Sequence, residues 1–258
     1  MIGALAEGES EIEGFTAEAA DPRSTLGSLK SLGIRFTTTS SKLTIHGCGL
    51  HGLRKPAQVL DAGNSGTTIR LITGILAGQA FVSALGRDAS LNHRPMKRII
   101  EPLTEMGARI EAAGHSAAPL TIYGTSPLRP LEYRMPVASA QVKSAILFAG
   151  LFADGVTKVI ELIRTRDHTE RILGLSVLES PRGEVIEVRG GTSIQLGRFM
   201  IPGGLSSAVF LVAAALLVPG SELRLTTIGL NPTRSRALDI FRSLGGEIEI
   251  SNERIAGL

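Results

Sequence analysis

The chain of 258 residues is 43% hydrophobic and 20% charged with 30 glycines, which excludes a disordered polymer and allows one large core or two smaller ones joined by many tight turns. Net charge is only +3, and the two Tyr and eight Phe are scattered, with no basic run interleaved with aromatics. Nucleic-acid binding is therefore not expected, while a mild positive excess suits small anionic ligands. The single cysteine, Cys48, excludes an internal disulfide and a Cys-based zinc site. The five histidines (His46, His51, His93, His115 and His168) never stand at metal-ligand spacing with carboxylates, so neither a metal nor a cofactor is expected.

Along the chain a pattern repeats: an amphipathic helix, Leu-Gly or Met-Gly, then two short strands, at Leu26–Gly49, Pro102–Gly124, Ile172–Gly190 and Ala237–Leu258. The hinge glycines Gly33, Gly107, Gly174 and Gly245 stand about 74, 67 and 71 residues apart, and each follows the last apolar helical residue, as a left-handed helix end requires. Alternating segments such as Ala108-Arg-Ile-Glu and Glu247-Ile-Glu-Ile read as half-buried strands. A second series of helices interleaves with the first. Asn64-Ser-Gly-Thr-Thr begins Ile69–Ala77, Ser139-Ala-Gln begins Val142–Phe152, and Ser206-Ser begins Ala208–Leu217. Strands are expected after them at Ala80–Leu85, Thr157–Leu162 and Ser221–Thr227. The opening residues Met1–Gly8 read as the tail of such a helix, before a strand around Glu11–Phe15. The unit is strand, helix, strand, helix, strand, strand, an α/β (α+β) organisation whose helices bury against sheet faces. Because the first unit lacks its leading strand and the last stops after its hairpin, the sequence reads as cropped at both ends. The longest apolar run, Ala208–Pro219, is too short to cross a bilayer, and no export signal opens the chain, so a soluble cytoplasmic protein is expected.

Four segments carry chemistry. Asp61-Ala-Gly-Asn-Ser-Gly-Thr-Thr68 is a Gly-rich turn entering a helix, with Arg70 just beyond; it reads either as a tight structural turn or as a cradle for an anion, and it is not a Walker loop. Arg87–Arg98 holds four cations, with Pro95 suited to the first helical position and Arg94 able to clamp a carboxylate or phosphate. In Pro136–Leu151, Pro136 ends an extended segment and Ser139 sits at a helix N-cap, followed by Gln141, Lys143 and Ser144. Arg164–Arg171 places Thr165 and Arg166 at a strand end, where α/β ligands commonly sit. His168, between Asp167 and Glu170, admits a general-base role, though capping contacts by Asp167 and Glu170 are the simpler reading. If the units surround an axis, the three helix starts converge and their positive ends sum. With Arg70, Arg94, Lys143 and Arg166 nearby, the implied ligand bears several negative charges.

At these residues the sequence resembles the 5-enolpyruvylshikimate-3-phosphate synthase family, and most of all its bacterial glyphosate-tolerant class. The motifs are Gly63-Asn-Ser-Gly-Thr-Thr, Asp88-Ala-Ser-Leu with Arg94-Pro-Met, Pro136-Val-Ala-Ser-Ala-Gln-Val-Lys-Ser, Thr165-Arg-Asp-His-Thr-Glu and Gly229-Leu-Asn-Pro-Thr-Arg234. The resemblance implies two domains, each of three units about a pseudo-threefold axis, here residues 1–200 and the first part of a second domain at 201–258, with a crossover near Ile201–Gly204. It implies a metal-free transfer of the enolpyruvyl group of phosphoenolpyruvate to the 5-hydroxyl of shikimate 3-phosphate, by a protein that is monomeric at full length. Ser139 and Gln141 would hold shikimate 3-phosphate, with Thr165 and Arg166 beside its phosphate. Asn64, Gly66 and Arg94 would line the phosphoenolpyruvate subsite, which Gln141 also reaches. The family's catalytic Lys, Asp and Glu have no counterpart in this sequence, so the chain by itself is expected to bind shikimate 3-phosphate weakly and not to turn over. Arg87 stands where the family has Gly, and Gly203-Gly-Leu-Ser-Ser replaces Gly-Asp-x-Ser-Ser. The alternatives are a related enzyme that transfers enolpyruvyl to UDP-N-acetylglucosamine, which usually carries a reactive Cys on a mobile loop, and a non-catalytic remnant that binds phosphate ligands.

Overall fold

Three parallel strand pairs organise the molecule, each sending two loops to the same end of its sheet. The computed structural model describes residues 1–16, 19–86, 91–114 and 116–252. The expectations that fall on Arg87–Ser90, His115 and Glu253–Leu258 lie outside these residues.

The chain opens with α1 (Ile2–Leu5), β1 (Glu7–Glu13), α2 (Ala20–Ser31), β2 (Arg35–Thr38) and β3 (Lys42–Cys48). Next come β4 (Leu60–Asp61), α3 (Gly66–Ala77), β5 (Val82–Gly86), α4 (Lys97–Glu105), β6 (Arg109–Ala113) and β7 (Ala117–Tyr123). A third run holds β8 (Glu132–Arg134), α5 (Ala140–Gly150), β9 (Val156–Glu161), α6 (His168–Leu173), β10 (Ser176–Ser180) and β11 (Gly183–Arg189). Last are β12 (Arg198–Met200), α7 (Leu205–Leu217) and α8 (Pro232–Ser243).

The strands form three four-stranded sheets of one design, β12-β1-β3-β2, β4-β5-β7-β6 and β8-β9-β11-β10. In each, a leading strand pairs parallel with the next, and an antiparallel hairpin completes the sheet. In the first sheet β12 takes the leading place beside β1: Glu11 aligns with Arg198 and Glu13 with Met200. The four hinge glycines, Gly33, Gly107, Gly174 and Gly245, all have positive φ, between 60° and 107°.

α3 and α5 are buried almost throughout and pack against each other at the centre. They cross closely because Gly74 has no side chain: a Cβ there would run into the backbone of Ala145. Around them one continuous core takes in Ile69, Ile72, Ile75, Leu76, Ile146, Leu147 and Phe148, all nearly inaccessible. Each fully buried aliphatic or aromatic side chain of this kind stabilises the fold by about 1.5–3 kcal/mol.

Residues 201–252 differ. Leu205, Ala208 and Leu238 form a small separate cluster between α7 and α8. The strand expected at Ser221–Thr227 is absent: a single parallel bridge, Gly203 to Ile228, is the only pairing among the described residues of this stretch. Glu247–Ile250 keeps its alternation of exposed Glu and half-buried Ile but is not a strand either. An extended segment becomes a strand only when a neighbouring strand satisfies its backbone groups, and among the described residues no strand lies beside either segment. The helix expected from Pro95 also starts later, at Lys97 with Met96 as N-cap, because the Met96 N–H is bonded to the Ser116 carbonyl and its side chain is buried.

Candidate functional site

The parallel pairing of β8 with β9 ends at Arg134 opposite Ile160, so the segments that follow, carrying Ser139 on one side and Thr165 on the other, leave the sheet at the same edge. The pairing of β4 with β5 ends at Asp61 opposite Gly86 and does the same for the Asn64 turn. Local chemistry shapes each turn. Asp61 Oδ1 accepts the Gly63 N–H at 2.8 Å, and Ser65 caps α3 by accepting the Thr68 N–H at 3.1 Å. Ser139 caps α5 as its residue type indicates, its Oγ accepting the Val142 N–H at 3.4 Å.

The starts of α3 and α5 are bonded to each other. Gln141 Nε2 donates to Thr67 Oγ1 at 2.8 Å, and Arg70 Nη1 donates to Gln141 Oε1 at 2.9 Å and to the Gly66 carbonyl at 3.1 Å. Arg94 closes the other side, donating to Asn64 Oδ1 at 2.8 Å. Gly66 lies between the two guanidiniums: a Cβ added there would stand 2.8 Å from the Nη1 of each. Asn64, Gly66, Arg94 and Gln141, named on sequence grounds, therefore form one cluster. Thr67 and the grip of Arg70 on Gln141 were not foreseen; the signal was Arg70 lying one helical turn beyond Gly66.

The cluster is electropositive. Burial, then the charges of Arg94 and Arg98, lower the pKa of the Arg70 guanidinium. Among the described residues, the acceptors that hold Arg70 and Arg94 are carbonyl and carboxamide oxygens, which orient the cations without neutralising them. Two oriented guanidiniums beside two helix N-termini favour a carboxylate or phosphate.

Two expectations, on Lys143 and on the three helix starts, require correction. Lys143 does not face this cluster: its Nζ is buried against Glu161 (2.8 Å) and Glu170 (2.5 Å), because the side chain leaves α5 toward β9 and α6. Thr165, in the turn after β9, is bonded to Glu161 through its N–H and its hydroxyl, at 2.8 and 3.0 Å. And of the three helix starts, the structure joins two; Ser206 at the start of α7 is engaged by Arg234 instead. Arg166, at the same strand end, is exposed and forms no ion pair with a described carboxylate.

Asp167 does not cap α6 with its side chain. It accepts from Arg171 Nε at 2.8 Å, Asn231 Nδ2 at 2.6 Å and Thr233 Oγ1 at 3.3 Å, so the motif at 165–170 is tied to the one at 229–234. Burial pushes the Asp167 carboxyl up, but bonds from Asn231 and Arg171 and the charge of Arg171 outweigh it and hold it below the usual carboxylate range. His168 is pushed down by burial, and Arg234, Arg166 and Arg171 add to that effect against the pull of Asp167, which favours neutral imidazole.

Known proteins share this fold. A solved EPSP synthase from Acinetobacter baumannii superposes with a TM-score of 0.92 at 42% identity, covering 100% of this chain and 58% of that one. The enolpyruvyl transferase NikO from Streptomyces tendae, at 16% identity, shares the fold with a TM-score of 0.72 over 97% of this chain and 60% of its own. Among curated relatives, 3-phosphoshikimate 1-carboxyvinyltransferase of Alkalilimnicola ehrlichii is 47% identical over 259 residues, spanning 100% of this chain, and that of Bacillus licheniformis is 45% identical over 257 residues. The chain spans 58% and 59% of the length of these two relatives. Since the family model for EPSP synthase (3-phosphoshikimate 1-carboxyvinyltransferase) also matches residues 1–257, without a break at the point where the third sheet ends, the chain belongs to the EPSP synthase family.

Proposed function

We propose that this chain supplies the shikimate 3-phosphate site, and one side of the phosphoenolpyruvate site, of an enzyme that transfers enolpyruvyl to the 5-hydroxyl of shikimate 3-phosphate. The observation that carries the reading is the bonding of two helix starts through Gln141, with Arg70 and Arg94 held on neutral acceptors around Gly66. In this reading Ser139 and Gln141 hold the sugar-like ring, Arg166 meets the 3-phosphate, and Asn64, Gly66 and Arg94 line the phosphoenolpyruvate subsite. Thr165 contributes by holding its turn. Fixed cations and helix ends beside the reacting groups stabilise charge that develops in a tetrahedral intermediate, and they require no rearrangement at that moment.

We also infer that residues 1–200 form the substrate-binding domain and 201–258 the beginning of a second, with small molecules as the only partners of a cytoplasmic, monomeric full-length enzyme. No helix of the described residues is long and apolar enough to cross a membrane. The related transfer to UDP-N-acetylglucosamine is disfavoured by Cys48. It sits at the end of β3 with its Sγ 3.6 Å from the Ala4 carbonyl, and burial pushes its thiol pKa up, away from the reactive thiolate.

Isothermal calorimetry of the 258-residue chain with shikimate 3-phosphate tests the reading. Saturable binding is expected, with the Gln141→Ala variant weaker by about tenfold or more, since it removes the carboxamide that bonds Arg70 and Thr67 across the two helix starts. Absence of binding by the unmodified chain overturns it.

A further inference from the structure

Below the site lies a buried charge cluster to which the proposed function gives no role. Lys143, Glu161 and Glu170 are each no more than 3% exposed. Glu161 Oε1 accepts from Lys143 Nζ at 2.9 Å and from the Thr165 N–H at 2.8 Å, and its Oε2 accepts the Thr165 hydroxyl at 3.0 Å while lying 2.8 Å from Lys143 Nζ. A carboxylate offers about four acceptor positions, so those of Glu161 are all used. Glu170 is held differently. Its Oε1 meets Lys143 at 2.5 Å, yet neither carboxyl oxygen has an aligned hydrogen-bond donor among the described residues. Burial raises its pKa and the Lys143 charge opposes the shift only in part. Lys143 is thus shared between the two carboxylates, and of the two only Glu161 also bonds Thr165.

A buried ion pair is a poor device for stability alone, because desolvating both charges offsets most of their attraction and an apolar pair of similar volume does as well. What distinguishes this pair is where it ends. Lys143 lies two residues past Gln141 on α5, and Glu161 is the last residue of β9, four residues before Thr165. The pair spans from the helix that carries Ser139 and Gln141 to the turn that carries Thr165 and Arg166.

We infer that Glu161, anchored by Lys143, is a positioning residue for the phosphate subsite: acting through both donors of Thr165, it fixes the turn that presents Arg166. This deepens the function proposed above and rests on it for the identity of the ligand. On the N-terminal side of the turn Leu162, Ile163 and Arg164 are all exposed, and Arg164 adds only ion pairs at 3.4 Å to Asp167 and Glu184. Glu161→Gln leaves volume almost unchanged but offers one acceptor oxygen where three donors converge. Glu170→Gln is the matched control, with the same cluster and burial and no bond to Thr165.

The test measures calorimetric affinity of the 258-residue chain for shikimate 3-phosphate and for shikimate, which lacks the phosphate. Glu161→Gln is expected to weaken shikimate 3-phosphate by about tenfold and leave shikimate unchanged, while Glu170→Gln changes neither. Equal losses for the two ligands, or for the two variants, overturn the inference, because a purely structural role produces that pattern. A second readout needs no ligand: hydrogen exchange of the Thr165 amide is expected to accelerate about tenfold in Glu161→Gln and not in Glu170→Gln. If the unmodified chain binds no shikimate 3-phosphate, the substrate reading fails, and unchanged exchange at Thr165 separately overturns the positioning role. Should Glu161→Gln not fold, Glu161→Asp keeps the charge for Lys143 and retracts it from Thr165, and the same selective loss is expected.

Discussion

Residues 125–190 and residues 201–252 carry related patterns of strands and helices, yet only the first builds a sheet. In the first, β8 and β9 pair in parallel, the β10–β11 hairpin completes four strands, and α5 is buried on every side. In the second, α7 is more apolar still, but Phe210 is 77% and Leu217 81% exposed, and its following segment makes one bridge. Periodicity therefore specifies which face an element wants to bury, whereas burial itself needs neighbours. α5 has α3 against it, with Gly74 allowing the close approach, whereas α7 packs on α8 and a few loop residues such as Leu225 and Ile228. The contrast also separates function from stability, because the polar residues of the candidate site lie on the well-packed side.

The largest expected effect is at the buried cluster. Lys143→Ala leaves Glu161 and Glu170 facing each other without a cation, and a loss of roughly 3–5 kcal/mol in denaturant unfolding is expected. A cost below about 1 kcal/mol would show that water enters the cluster and that the two regions differ less than their exposures suggest. Next is the helix crossing. Gly74→Val forces α3 away from the Ala145 backbone, an overpacking that costs roughly 1–3 kcal/mol and lowers the melting temperature.

These two positions also mark what can be read from sequence. Ser139 as a cap and the left-handed glycines were legible because their causes are local, a hydroxyl three residues from the N–H it bonds and a helix end that needs positive φ. The repeated unit was legible for the same reason. Lys143 was misread as a ligand cation because its partners, 18 and 27 residues away, become neighbours only when α5 lies across β9 and α6. The partners of Gln141, Arg70 and Thr67, stand 71 and 74 residues away, beyond any spacing argument. The strand at 221–227 failed in the opposite sense: its pattern is present, and among the described residues no strand lies beside it.

A smaller effect is expected where the two regions touch. Asp167→Asn removes the carboxylate that binds Arg171, Asn231 and Thr233, a loss on the order of 1 kcal/mol given the exposed Arg171 end. The sign of its pH dependence is fixed by the lowered folded-state pKa. The contribution of Asp167 is fully present above the unfolded value of about 3.9 and fades as pH falls through the lower folded one. Stability of the unmodified chain should therefore drop more steeply below about pH 4 than that of Asp167→Asn, as thermal melts across that range would show. Parallel acid profiles would mean that the bonds to Asn231 and Thr233 do not form in solution.

The smallest effect on stability is expected from the exposed face of α7. Replacing Phe210 or Leu217 by Ser removes an apolar side chain that already faces water, so the unfolding free energy should change by no more than about 0.5 kcal/mol. Ile72→Ala in α3, where the side chain is inaccessible, should cost roughly 2–5 kcal/mol. The Ser variants should instead reduce self-association, because adjoining exposed residues Leu211, Leu216 and Val218 extend the apolar surface. Thermal melts and light scattering over a concentration series separate the two quantities. A loss above about 1.5 kcal/mol for Phe210→Ser, independent of protein concentration, would show that α7 is covered within a single chain, and the contrast between α5 and α7 would then be one of partners rather than of exposure.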